Sequence, residues 1–145
     1  MFGKPNAGKS TLLNTLMGEK LAIVSHKVQT TRHRIKGILT APEYQMIFSD
    51  TPGIIDPRYK LHEKMMDSVR QAVADTDLAL LLIDGKDNLE ENNEIFSGLH
   101  LKVPALVLIN KSDRLTDSEI SVVATFFKEK KILYRTFGDI GVKEN

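Results

Sequence analysis

Apolar positions along the chain follow two rhythms. From Lys9 to Met17, Leu12, Leu13 and Leu16 share one face and Gly18 follows, the pattern of a short helix with a glycine stop. Leu61, Met65, Met66, Val69 and Val73 recur at helical spacing and predict an amphipathic helix over residues 60–75. Thr116 and Glu119 have capping-box spacing and open a helix presenting Ile120, Val123, Phe126 and Phe127. A weaker helical pattern covers 89–99. The other rhythm is continuous: "LALLLID" (78–84) and "ALVLIN" (105–110) read as strands buried on both faces, as in parallel sheets. "IKGILTAPEYQMIFSD" reads as two strands about a turn at Ala41-Pro42-Glu43, and "KILY" (131–134) as a short last strand. Residues 19–34 keep no period and read as a mobile loop. This alternation predicts an α/β domain with a mostly parallel sheet and helices on both faces.

Composition narrows the classes. A chain of 145 residues with 41% hydrophobic and 27% charged residues has the size and balance of one soluble domain, expected in the cytoplasm. Twenty basic against nineteen acidic residues give +1, too even to argue for nucleic-acid binding by the domain as a whole. The absence of cysteine excludes disulfides and thiolate metal sites. Asp84 ends the longest strand-like apolar stretch short of a bilayer span, and Lys4, Pro5 and Asn6 interrupt any signal-peptide core.

Four short segments carry candidate chemistry. Gly3-Lys4-Pro5-Asn6-Ala7-Gly8-Lys9-Ser10 fits the phosphate-loop pattern G-x-x-x-x-G-K-[ST] and stands before the first helix. Unpaired backbone N–H groups at a helix start face phosphate oxygens, Gly3 and Gly8 permit the tight backbone, Lys9 reaches the outer phosphates and the Ser10 hydroxyl ligates magnesium. The candidate nucleotide contacts here are Gly3, Asn6, Ala7, Gly8, Lys9, Ser10 and Thr11. In "DTPG", Asp50 at a strand end suits magnesium and Gly53 can offer its N–H to a terminal phosphate, although Pro-Gly is also ordinary turn punctuation.

"NKSD" (110–113) addresses the base. The Asp113 carboxylate can accept from the N1–H and N2 amine of guanine, a donor pair that adenine lacks, so adenine would leave it unpaired. Asn110 would brace the loop, and the stem of Lys111 can cover the ring. In "VQTTRHRI", a loop threonine can complete a magnesium shell when the terminal phosphate is present: Thr31 first, Thr30 as the alternative. Lys9, Thr31 and Gly53 are the catalytic candidates, and Ser10, Thr31 and Asp50 the metal ligands. Arg32, His33, Arg34 and Lys36 read as a solvated face rather than an RNA site. Each segment is weak alone; in this order, at successive strand ends, they point to one site.

"GKPNAGKST", "QTTRHRI", "FSDTPGI" and "NKSD" together resemble the Era family of bacterial GTPases over roughly residues 3–133. Gln29 separates it from the related tRNA-modification and double-domain ribosomal GTPases. The resemblance implies a P-loop G domain that hydrolyses GTP to GDP with Mg2+, working as a monomeric switch in small ribosomal subunit assembly. It also implies contact with 16S rRNA through a C-terminal KH domain and, in some members, peripheral association with the inner membrane. The residue after "DTPG" is Ile54, which cannot hydrogen-bond a water as the glutamine of many GTPases does. Some relatives use a potassium ion held partly by the phosphate-loop Asn, here Asn6.

The chain departs from the pattern at its ends. The family's first strand is represented by Met1-Phe2, and its guanine-binding Ser-Ala should fall near Arg135 to Phe137, where the chain reads "YRTFGDIGVKEN" and Thr136 stands nearest in kind. The last helix and the KH domain are not in these residues. On this basis the expectation is an incomplete G domain, poorly folded or weakly binding in isolation. A non-catalytic remnant and a G domain from a tRNA-modification or transporter system are the alternatives.

Overall fold

The computed structural model describes residues 1–24, 31–55 and 60–138. Helix α1 (Lys9–Met17) follows the phosphate loop and stops at Gly18, whose φ of 70° is the left-handed turn that glycine adopts without strain. Strands β1 (Ile35–Ala41) and β2 (Tyr44–Asp50) form an antiparallel hairpin with Ile35 opposite Asp50 and Ala41 opposite Tyr44. Helix α2 (Lys60–Ala74) leads to β3 (Ala79–Asp84), α3 (Leu89–Ser97) to β4 (Ala105–Asn110), and α4 (Asp117–Glu129) to β5 (Tyr134–Thr136). The last three strands run parallel in the order β3-β4-β5.

The two apolar strand runs are buried on both sides, as their composition requires. Leu81, Ile83, Val107 and Ile109 face a core shared with Met65, Met66 and Val69 of α2, Phe96 of α3, and Val123 and Phe127 of α4. Leu82 and Leu108 face the opposite way, with Leu13 of α1 and Ala22. Met1 and Phe2, which stand for the first strand of the Era family, lie between the two sheets. The main-chain nitrogen of Met1 donates to Ser49 O on one side, while Phe2 N donates to Leu80 O and Leu82 N to Phe2 O on the other. Phe2 is fully buried, so it fixes the direction in which the phosphate loop leaves the sheet.

Two boundaries shift from expectation. The last strand lies at 134–136 rather than 131–134, because the end of α4 consumes the intervening residues. Lys131 adopts φ 56°, and Ile132 N turns back to Phe127 O, leaving Leu133 exposed. Helix α3 ends at Ser97, with Gly98 N–H bonding Glu94 O, rather than at 99. Leu16, expected on the inner face of α1, is 37% exposed. The capping box at Thr116 and Glu119 forms as expected, and α3 has a cap that the sequence did not single out: Asn88 accepts from Glu91 N.

Candidate functional site

Phe2 feeds a loop that must turn sharply, and its glycines have specific reasons to be there. Gly3 has φ 151°, and a Cβ there would stand 2.3 Å from Leu82 O; Gly8 has φ 104°, and a Cβ would stand 2.3 Å from the Asn110 side-chain nitrogen. Gly53 of the "DTPG" turn approaches the same loop, since a Cβ there would meet Pro5 N at 2.7 Å. The phosphate loop is thus packed against β3, the Asn110 loop and the "DTPG" turn at backbone distance.

Inside the loop, Lys9 is 6% exposed and donates to Gly3 O at 3.0 Å and Lys4 O at 2.8 Å. Burial pulls its pKa down to about 8, against the raising influence of Asp50. At the start of α1, Ser10 Oγ donates to Asp50 Oδ2 at 2.6 Å and lies 3.0 Å from Thr31 Oγ1, which itself approaches Asp50 Oδ2 at 3.4 Å. Asp50 and Thr31 are both buried. Desolvation raises the Asp50 pKa, with the Ser10 hydrogen bond and the Lys9 charge opposing. Asp50 Oδ1 is buried without a partner. Three oxygen donors with one orphaned carboxylate oxygen, beside a buried ammonium, fit a hard divalent cation such as magnesium. Thr31 is the threonine that the structure brings to this cluster; Thr30 and Gln29 lie outside the described residues.

The loop carrying Asn110, Lys111 and Asp113 is tied to the phosphate loop by side chains. Asn110, 1% exposed, donates through Nδ2 to Ala7 O at 3.1 Å and accepts from Lys111 N at 2.9 Å. Lys111 has a left-handed backbone, φ 58° and ψ 32°, and its ammonium donates to Asn6 O at 3.1 Å. Asp113 sits exposed on the 3-10 turn Ser112–Arg114. Ile54, by contrast, packs against the core beneath the sheet, and its N–H bonds Gly3 O at 3.0 Å. Its side chain therefore serves the fold. Arg34 is also occupied, bonding Ser49 Oγ and Asp75.

Two features escaped the sequence reading. After β5, Phe137 N donates to Ile109 O, and Phe137 O accepts from both Ser112 N and Ser112 Oγ. This brings Gly138 alongside Asp113 (3.9 Å from a Cβ position to Asp113 Oδ1), so Phe137-Gly138, not Thr136, stands beside that carboxylate. The missing Ser-Ala signal hid it, because the contact is made by backbone. The other is Asp84, whose Oδ2 accepts from Lys111 at 2.6 Å. An aspartate at a strand end carried no signal of a lysine partner 27 residues on.

A phosphate loop at a helix start, an Asp-Thr-Ser oxygen cluster and an Asn-Lys-Ser-Asp loop at neighbouring strand ends define a G domain of the P-loop GTPase class. The comparisons agree with that geometry. The family model described as 50S ribosome-binding GTPase matches residues 1–111, and the chain belongs to that family.

Among curated relatives, the GTPase Era of Clostridium beijerinckii is 46% identical over 123 residues, covering 83% of this chain and 41% of that protein. The Clostridium perfringens GTPase Era is 43% identical over 132 residues, covering 90% and 45%. Among solved structures, Era in complex with MgGDPNP and nucleotides 1506–1542 of 16S ribosomal RNA matches with a TM-score of 0.83 at 34% identity, covering 93% of this chain and 49% of that one. Aquifex aeolicus Era bound to GDP·AlF4− matches with the same score and coverage. The chain spans less than half the length of these relatives. No helix among the described residues is long and apolar enough to cross a membrane.

Proposed function

We propose that the protein binds magnesium-GTP, hydrolyses it to GDP and phosphate, and acts as a switch in assembly of the small ribosomal subunit. The observation that carries this reading is the convergence of Ser10, Thr31 and Asp50 beside Lys9, with Asn110 joining the guanine loop to the same phosphate loop. The ribosomal role rests on similarity to Era proteins, one of whose structures holds a 16S rRNA fragment.

In this reading, the backbone N–H groups from Asn6 to Thr11 receive the phosphates at the start of α1, and Lys9 lies against the outer ones. Phosphate anions hold its ammonium charged despite burial. Ser10, Thr31 and Asp50 hold the metal ion, which when bound neutralises charge on the transferring phosphoryl group. Thr31 turns from its Ser10 and Asp50 partners to the metal ion when the terminal phosphate is in place, which makes its loop the switch. Gly53 offers its N–H to that phosphate, and Asp113 reads the guanine edge. Water attacks the terminal phosphorus in line with the bond to GDP, which breaks as the new P–O bond forms. Ile54 offers no side-chain hydrogen bond to that water, so rate enhancement rests on charge neutralisation, to which a potassium ion would add if Asn6 held one.

The test is phosphate release by the full-length protein with GTP or ATP, with and without magnesium, in potassium or in sodium. Magnesium-dependent turnover of GTP alone, faster in potassium and lost in Lys9→Met, is expected. Equal use of ATP would overturn the guanine assignment, and equal rates in both salts would remove potassium.

A further inference from the structure

Asp84 closes β3 opposite Asn110 in the parallel register, at the height where the guanine loop leaves the sheet. Each of its carboxylate oxygens has its own donor: Oδ1 accepts from Lys86 N at 3.1 Å, and Oδ2 from Lys111 Nζ at 2.6 Å. The Lys111 side chain is thereby held from both ends. Its left-handed backbone directs it back over the phosphate loop, and its ammonium bridges Asp84 and Asn6 O. The two side chains are only 18% and 23% exposed, so solvent and salt screen the pair less than they would on an open surface. Burial alone would raise the Asp84 pKa, but the Lys111 hydrogen bond and the Lys86 N–H bring it below its ordinary value, so the carboxylate is charged at neutral pH.

An ammonium has three donors on a flexible stem and no preferred direction of its own. Asn6 O, a neutral acceptor on a loop that also has to receive phosphates, is a weaker guide than a charged acceptor at the end of a buried strand. We propose that Asp84 is the positioning residue that fixes the Lys111 stem as one wall of the guanine site and couples that wall to the phosphate loop. Asp84 acts through Lys111 and touches no nucleotide atom. The inference rests on the guanine-nucleotide reading above, and it adds a residue to which no part of that reading gives a role.

The test is a double-mutant cycle in the full-length protein: wild type, Asp84→Asn, Lys111→Met and the pair, each titrated with GDP and magnesium. Asparagine keeps an acceptor for Lys86 N–H and preserves the loop's shape while removing the charge. Asp84→Asn is expected to weaken GDP binding on the order of tenfold, chiefly through faster dissociation. In the Lys111→Met background the same change is expected to have no further effect. A merely structural role would lower the melting temperature and leave this coupling at zero. Unchanged affinity in Asp84→Asn, or the same loss in both backgrounds, overturns the proposal. Failure of the wild type to bind GDP would instead overturn the nucleotide reading beneath it.

Discussion

The side-chain amide of Asn110 reaches across from β4 to the carbonyl of Ala7, 3.1 Å away, and so joins the loop that would read the base to the loop that would hold the phosphates. Its carbonyl end accepts from Lys111 N, so a single buried side chain sets the spacing between the two halves of the site. Asn110→Ala leaves the Ala7 carbonyl and the Lys111 N–H without these partners. A loss of about 1–3 kcal/mol in unfolding free energy is expected, with weaker GDP binding, measurable by denaturant titration and calorimetry.

Gly8 and Gly18 both adopt positive φ, 104° and 70°, but only one faces a neighbour. A Cβ on Gly8 would collide with Asn110, whereas nothing stands within 4 Å of one on Gly18. Gly8→Ala is expected to abolish tight nucleotide binding. Gly18→Ala should cost about 1–2 kcal/mol of left-handed strain and leave GDP affinity unchanged. Parallel binding and melting curves on the two variants check the contrast.

Phe127 is 1% exposed, meets Phe126 edge-on and stacks on Tyr134 with centroids 5.5 Å apart, linking α4 to β5. Truncation to alanine removes both ring contacts and opens a cavity. The expected loss of roughly 3–5 kcal/mol, against a domain total of about 5–15 kcal/mol, should appear as a large fall in the denaturation midpoint.

The Glu119 carboxylate receives both a Lys86 ammonium and the Thr116 N–H, and the Lys86 hydrogen bond is the leading reason its pKa falls from an ordinary 4.5 to about 2. A depressed folded pKa contributes stability that is present above pH 4.5 and lost as pH falls towards 2. Glu119→Gln should therefore be less stable than wild type at neutral pH. The difference should shrink steadily between pH 4.5 and pH 2, as followed by urea midpoints.

Much of this was legible in the residues because the signals were local. The capping box at Thr116 and Glu119, the apolar runs of β3 and β4 and the helical spacing of α2 each act over a few positions, and each formed as expected. The oxygen cluster was legible through Ser10, Asp50 and Thr31, since the chemistry of a hard cation restricts the residue types. What was not legible depended on distant backbone. Phe137 O bonding Ser112 requires the exit direction of β5, and that strand began three residues later than its apolar run because Lys131 took a left-handed turn. Likewise, the Asp84–Lys111 pair exists only because two parallel strands end at the same height.

In the proposed function the Asp113 loop and the Ser10-Thr31-Asp50 cluster serve one guanine nucleotide. Asparagine at 113 would present an amide N–H where the carboxylate accepted the guanine amine, matching the carbonyl that xanthine carries at that position. The deciding measurement is a magnesium-dependent titration of the full-length protein and its Asp113→Asn variant with GDP and with xanthosine diphosphate. The wild type is expected to bind GDP and reject the xanthosine nucleotide, the variant to reverse this preference, and both to lose affinity without magnesium. An unchanged base preference in the variant, or binding indifferent to magnesium, would contradict the proposed function.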